Sequence, residues 1–205
     1  GYGMIVMPKY DTDLFTYAFE YNEGLTESEG RDIFREIASA VKSLHDLGIA
    51  HRDIKPENIF LELDSKTPYI GDFGCSYHNP KHAKACSKGK NCSQRYLGSC
   101  GTAEYRAPEV AKDPENYDPY KADIYALGVL LHGLITCTFP AQHEASPELS
   151  LFCNDFIRLL LTPDPKRRPS INQVLKHPFV ALRPPRKSFA TRTKQFLANS
   201  IPFKL

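Results

Sequence analysis

From Ala122 to Thr136 the chain is apolar on nearly every side, with Asp123 its only carboxylate. A helix of that composition has no polar face to offer water, so other elements must enclose it. At fifteen residues it falls short of the roughly 18 needed to span a bilayer. The fold must therefore wrap a helical layer around this segment. A chain of 205 residues with 41% hydrophobic content can do so as one domain with one core.

Candidate wrapping elements can be read along the sequence. Thr26 followed by Glu29 makes a capping box, and Ile33, Phe34, Ile37, Val41 and Leu44 recur at helical spacing. The pattern predicts a helix over 27–47, with Gly48 as a left-handed stop. Residues 151–161 are amphipathic, and Ser170 with Gln173 makes a second capping box before Val174 and Leu175. The apolar run Met4–Met7 fits a buried strand that leads into a linker, Pro8–Asp11. Residues 59–63 and 68–70 predict a strand pair around Asp64-Ser65-Lys66, which puts Asn58 and Asp72 at facing strand ends. The predicted class is mainly α with short β-hairpins, and there is no internal repeat.

The chemistry is concentrated in His51-Arg52-Asp53-Ile54-Lys55-Pro56-Glu57-Asn58 and, nineteen residues after Asp53, Asp72-Phe73-Gly74. At this spacing two carboxylates and a carboxamide can divide the tasks of phosphoryl transfer. Asp53 meets the acceptor hydroxyl, Lys55 neutralises the phosphoryl group, and Asn58 and Asp72 hold metal ions. A lone Asp-Phe-Gly is usually a turn, but the ordered set is specific. These motifs resemble the catalytic and magnesium loops of eukaryotic serine/threonine protein kinases.

The resemblance extends over about residues 4 to 180. It implies a kinase-like C-terminal lobe over 11–180, with 1–10 as the last N-lobe strand and hinge, an activation segment over 72–109 and a basic tail over 181–205. It implies Mg2+ and ATP as cofactors, Asp53, Lys55 and Thr102 as catalytic residues, and Asn58 and Asp72 as metal ligands. Met7, Lys9, Asp13, Glu57 and Phe60 would line the nucleotide and peptide side. Glu109 of Ala107-Pro108-Glu109 should pair with Arg168, and Asp123 should bond the backbone of His51 and Arg52. Read without the resemblance, Asp123 is equally well an ordinary helix cap. His177-Pro178-Phe179 closes the lobe as in relatives of the calcium/calmodulin-dependent group. Protein Ser/Thr substrates follow, with Asp13 and Glu57 favouring basic residues before the acceptor. An intracellular location, cytoplasmic or nuclear, is expected, without nucleic-acid or membrane partners.

The sequence departs from the family pattern in several places. No Gly-rich loop, strand lysine or pairing glutamate precedes Met4, so the N-terminal lobe is expected upstream and the 205 residues alone are expected to bind Mg-ATP weakly. The alternative is a non-catalytic kinase-like binding module. The segment 76–99 carries Lys81, Lys84, Lys88, Lys90 and Arg95 and no acid. Gly98 stands where many relatives carry an activating Thr, which leaves Ser87, Ser93 or Ser99 as substitutes for an upstream kinase. Cys75, His78, His82, Cys86 and Cys92 are soft ligands, but their spacing matches no strong zinc template. The six cysteines are expected to be reduced thiols, because a chain with its own core needs no disulfide. Residues 181–205 hold six basic residues and no acid, leaving 20 basic against 24 acidic residues, a net −4, in the rest. Arg186-Lys187-Ser188 within that tail resembles a pseudosubstrate.

Overall fold

The computed structural model describes residues 7–79, 98–140, 146–147 and 149–181. Met4–Val6 of the strand expected at Met4–Met7, the candidates Ser87 and Ser93, the ligands His82, Cys86 and Cys92, and Arg186–Ser188 lie outside the described residues.

Helix α1, Glu27–Asp46, starts where expected. Thr26 accepts from the Glu29 N–H while the Glu29 carboxylate accepts from the Thr26 N–H, so two otherwise unpaired donors are satisfied. Gly48, at φ 73°, supplies the left-handed stop. Ile33, Phe34, Ile37, Ala38 and Val41 are buried on its inner face. Three further helices pack on α1: α3 (Pro119–Thr136), α5 (Ile171–Lys176) and α6 (Pro178–Ala181). Helix α4, Leu151–Leu160, lies against α3. Phe34 of α1 meets Phe156 of α4 edge-on at 5.5 Å. Burying one such ring is worth about 1.5–3 kcal/mol.

Helix α3 is enclosed as its composition required: Ile124, Leu127, Val129, Leu130, Leu131 and Leu134 are all buried. It begins before the apolar run, at Pro119, because the Asp118 side chain accepts from the N–H groups of Tyr120 and Lys121 and caps it. Asp123 is therefore inside the helix and is not its cap. Among the described residues no helix is long and apolar enough to cross a membrane.

The β content is small. Strands β3 (Ile59–Glu62) and β4 (Thr67–Ile70) form the expected hairpin, with β1 (Thr12–Asp13) on the other edge of β3. The other pair joins residues distant in sequence: β2, Ile49–Ala50, is antiparallel to β5, Tyr77–His78. That pair is therefore not a hairpin. The short helix α2, Pro108–Lys112, carries Glu109 in its first turn.

Two cysteines correct the reduced-thiol expectation. Cys75 and Cys100 form a disulfide, with their Cα atoms 5.8 Å apart. The size of the core removes the need for a bridge but does not prevent one where the fold brings two thiols together. Cys153 is fully buried and free. Burial pushes its thiol up to about 12.

Candidate active site

Asp53 is the most heavily bonded residue of the site. Its Oδ1 accepts from the Thr102 N–H and the Thr102 hydroxyl, both at 2.9 Å. Its Oδ2 accepts from Asn58 Nδ2 at 3.0 Å, and Lys55 Nζ lies 3.9 Å away. The carboxylate is thereby fixed between two stretches of chain 49 residues apart. Asn58 Nδ2 also donates to the Asp53 carbonyl at 2.9 Å, so both amide hydrogens are used and Oδ1 is left without a donor among the described residues.

The loop that carries Asp53 is held from below by α3. Asp123, 1% exposed, accepts from the His51 N–H at 2.9 Å, the Arg52 N–H at 2.7 Å and His45 Nε2 at 2.8 Å. These bonds offset the strain at Arg52, whose φ is 68°. His51 is buried and links the two motifs. Its Nδ1 accepts from the Asp53 N–H at 3.3 Å, so the proton belongs on Nε2, which donates to the Gly71 carbonyl at 2.9 Å.

Asn58 and Asp72 approach each other through the hairpin. Ile59 pairs with Ile70, and the Gly71 N–H donates to the Asn58 carbonyl at 2.9 Å, which leaves Asp72 next in line. Asp72 is exposed, at φ 54°, and its carboxylate accepts from its own Gly74 N–H at 3.1 Å. A carboxylate and a free amide oxygen are hard donors, and the set fits Mg2+.

The remaining sequence candidates are less concentrated. Met7 and Lys9 are exposed, and neither lies in a helix or strand. Asp13 pairs with Phe60 across β1 and β3, but both its carboxylate oxygens accept from Thr16, one from the N–H and one from the hydroxyl. Phe60 stacks on Tyr10 at 5.4 Å. Glu57 is exposed in the 3-10 turn Pro56–Asn58. Of the soft ligands whose spacing matched no zinc template, Cys75 is taken by Cys100, and no group of three candidate metal ligands forms among the described residues.

The segment that follows Thr102 is pinned at its far end. Arg168, buried in the core, bonds Glu109 with both terminal nitrogens, at 2.6 and 3.0 Å. Its other donors reach the carbonyls of Thr162, Lys121 and Pro163. A planar fork saturated in this way is a use particular to arginine.

Three features escaped the sequence reading. One is the Cys75–Cys100 bond, whose only signal was position: three residues after Asp72 and two before Thr102. Another is the bond from Arg52 Nε to the Cys75 carbonyl, 2.7 Å long, which ties the loop to that bridge. The last is Glu104, exposed beside Tyr105. Burial, then Glu57 and then Glu104 push the Tyr105 hydroxyl well above the usual phenol range.

An enclosed helix beneath a loop that presents an oriented carboxylate, a lysine and two hard metal donors defines a kinase-type catalytic lobe. Residues 2–180 match the model of the protein kinase domain, and the chain belongs to that family. It is 36% identical to serine/threonine-protein kinase kin-29 of Caenorhabditis briggsae, over 88% of this chain and 22% of that protein. It is 33% identical to the SNF-related serine/threonine-protein kinase of Rattus norvegicus, over 82% of this chain and 23% of that protein. To sperm motility kinase 2B of Mus musculus it is also 33% identical, over 76% of this chain and 33% of that protein. The chain thus spans a fifth to a third of the length of these curated relatives.

Proposed function

We propose that the protein carrying this lobe is a serine/threonine protein kinase that transfers the γ-phosphoryl group of ATP to hydroxyls of protein substrates. The observation that carries the reading is the placement of Asp53: oriented by Thr102 and Asn58, with Lys55 alongside and Asp72 next to the Gly71 that bonds Asn58. Asp53 would orient the acceptor hydroxyl and receive its proton as the bond to phosphorus forms. Lys55 would meet the charge on the phosphoryl oxygens. Asn58 Oδ1 and the Asp72 carboxylate would hold Mg2+, which supplies electrostatic neutralisation of the phosphates. Met7, Lys9 and Phe60 would border the nucleotide.

A preference for basic residues before the acceptor is part of the proposal. It is supported by Glu57 and Glu104, two exposed carboxylates whose fields both reach the Tyr105 hydroxyl. Asp13 contributes less to it, because Thr16 occupies both its oxygens.

Transfer of labelled phosphate from Mg-ATP to a Ser/Thr peptide library tests the reading on the full-length protein. Asp53→Asn should lower turnover by about 10²–10⁴-fold with the fold intact. Turnover unchanged by that substitution would reject the role of Asp53. A library profile without basic enrichment would reject the specificity alone.

A further inference from the structure

The disulfide joins the flank of Asp72 to the flank of Thr102, and its two ends are secured differently without it. On the first side, the Cys75 carbonyl accepts from Arg52 Nε, Tyr77–His78 pair with β2, and the Asn79 N–H donates to the Gly48 carbonyl at 2.8 Å. That end belongs to a ladder. On the second side, Cys100 stands between Gly98 at φ 59° and Gly101 at φ 85°. Beyond it, Gly101 rests on the Arg52 carbonyl so closely that an added Cβ would lie 2.3 Å from that oxygen. Thr102 then reaches Asp53. Gly98 and Gly101, in the left-handed region on either side of Cys100, bend this arm, which Arg106 holds at the Gly101 carbonyl and Asp53 at Thr102, and the disulfide ties it to the ladder.

Both cysteines are partly exposed, unlike Cys153 in the core. Where thiols are kept reduced, disulfides are usually transient and sense redox state, and a bridge between a ladder and an arm suits that use better than a core staple does. We propose that Cys75 and Cys100 form a reversible thiol–disulfide switch that, when oxidised, holds Gly101 and Thr102 against Asp53 and, when reduced, lets that arm leave the carboxylate. A hydroperoxide closes it: the two thiols lose two protons and two electrons, the sulfur–sulfur bond forms, and hydrogen peroxide leaves as two waters. A dithiol returns the electrons and protons and is itself oxidised to a disulfide. The consequence for acceptor hydroxyls rests on the function proposed above, whereas the bond and the movement do not.

The full-length protein is treated with dithiothreitol or with hydrogen peroxide, then followed by peptide mapping and by hydrogen exchange at the Thr102 amide. Oxidation should join Cys75 to Cys100, dithiothreitol should undo the bond, and the oxidised Thr102 amide should exchange at least about fivefold more slowly. In Cys75→Ser and in Cys100→Ser the amide should exchange at the reduced wild-type rate with or without peroxide. Should one variant fail to fold, the wild-type pair and the other variant decide. A bond from either cysteine to Cys86 or Cys92, no bond at all, or equal Thr102 exchange in the two states would overturn the switch. None of these readouts needs turnover, so an inactive protein with a working switch would reject only the proposed function.

Discussion

Asp53 and Asp72 serve the same candidate site, yet the fold treats them very differently. Asp53 takes three hydrogen bonds from two separate stretches of chain and sits on a loop that Asp123 anchors in the core. Asp72 is exposed, and its carboxylate accepts from the N–H of Gly74, two residues on. Orientation on the Asp53 side is therefore set by the lobe, while Asp72 is oriented by a contact within its own turn. Preorganisation matters most where a proton must move along a set direction, and a metal can complete its own shell.

The strongest challenge to this contrast is to remove the supports common to both sides. Arg168→Ala strips the half-buried Glu109 of its fully buried partner and should cost about 3–5 kcal/mol in a denaturant titration. Asp123→Ala leaves the buried N–H groups of His51 and Arg52 unpaired and should cost about 3 kcal/mol. If either loss were negligible, the loop would not depend on the core as described. Asp53→Ala should destabilise by about 1–3 kcal/mol, because the Thr102 N–H and the Asn58 amide lose their acceptor. Asp72→Ala should change stability by less than about 0.5 kcal/mol while abolishing Mg2+-dependent nucleotide binding in calorimetry on the full-length protein. Equal destabilisation by these two alanines would erase the contrast.

The smallest effect concerns pH. The His177 ring stacks on Phe156 at 4.6 Å, and burial lowers its pKa. Its folded pKa lies below the unfolded one, so the unfolded chain binds the proton more readily. The contribution is complete above the unfolded pKa near 6.5 and is lost as pH falls toward the folded value. Lowering pH from 7.5 to 5.5 should reduce Tm by no more than about 2 °C through this residue, and His177→Phe should remove that part. A Tm that rises on acidification through His177 would contradict the assignment.

Much of the lobe was legible because its signals are local. Thr26 and Glu29 cap α1 by contacts within one turn, the β3–β4 hairpin follows from an apolar pattern around a turn, and the enclosed helix announced itself by composition. The start of α3 was misplaced because Tyr120 and Lys121 interrupt the apolar pattern, and the cap, Asp118, lies ahead of them. The partners of Glu109 and Asp123 came from family resemblance, not from periodicity, since each pair is separated by 59 or more residues.

By itself, then, the sequence determined which residue types are available for phosphoryl transfer and which segment must be enclosed, because residue identity and hydrophobic periodicity are properties of the chain alone. Tertiary structure decided which of those residues meet. It gave Asp53 the two donors of Thr102, tied Arg52 to the Cys75 carbonyl, and brought Cys75 within bonding distance of Cys100. Such contacts depend on where packing places distant backbone, and no local pattern records that.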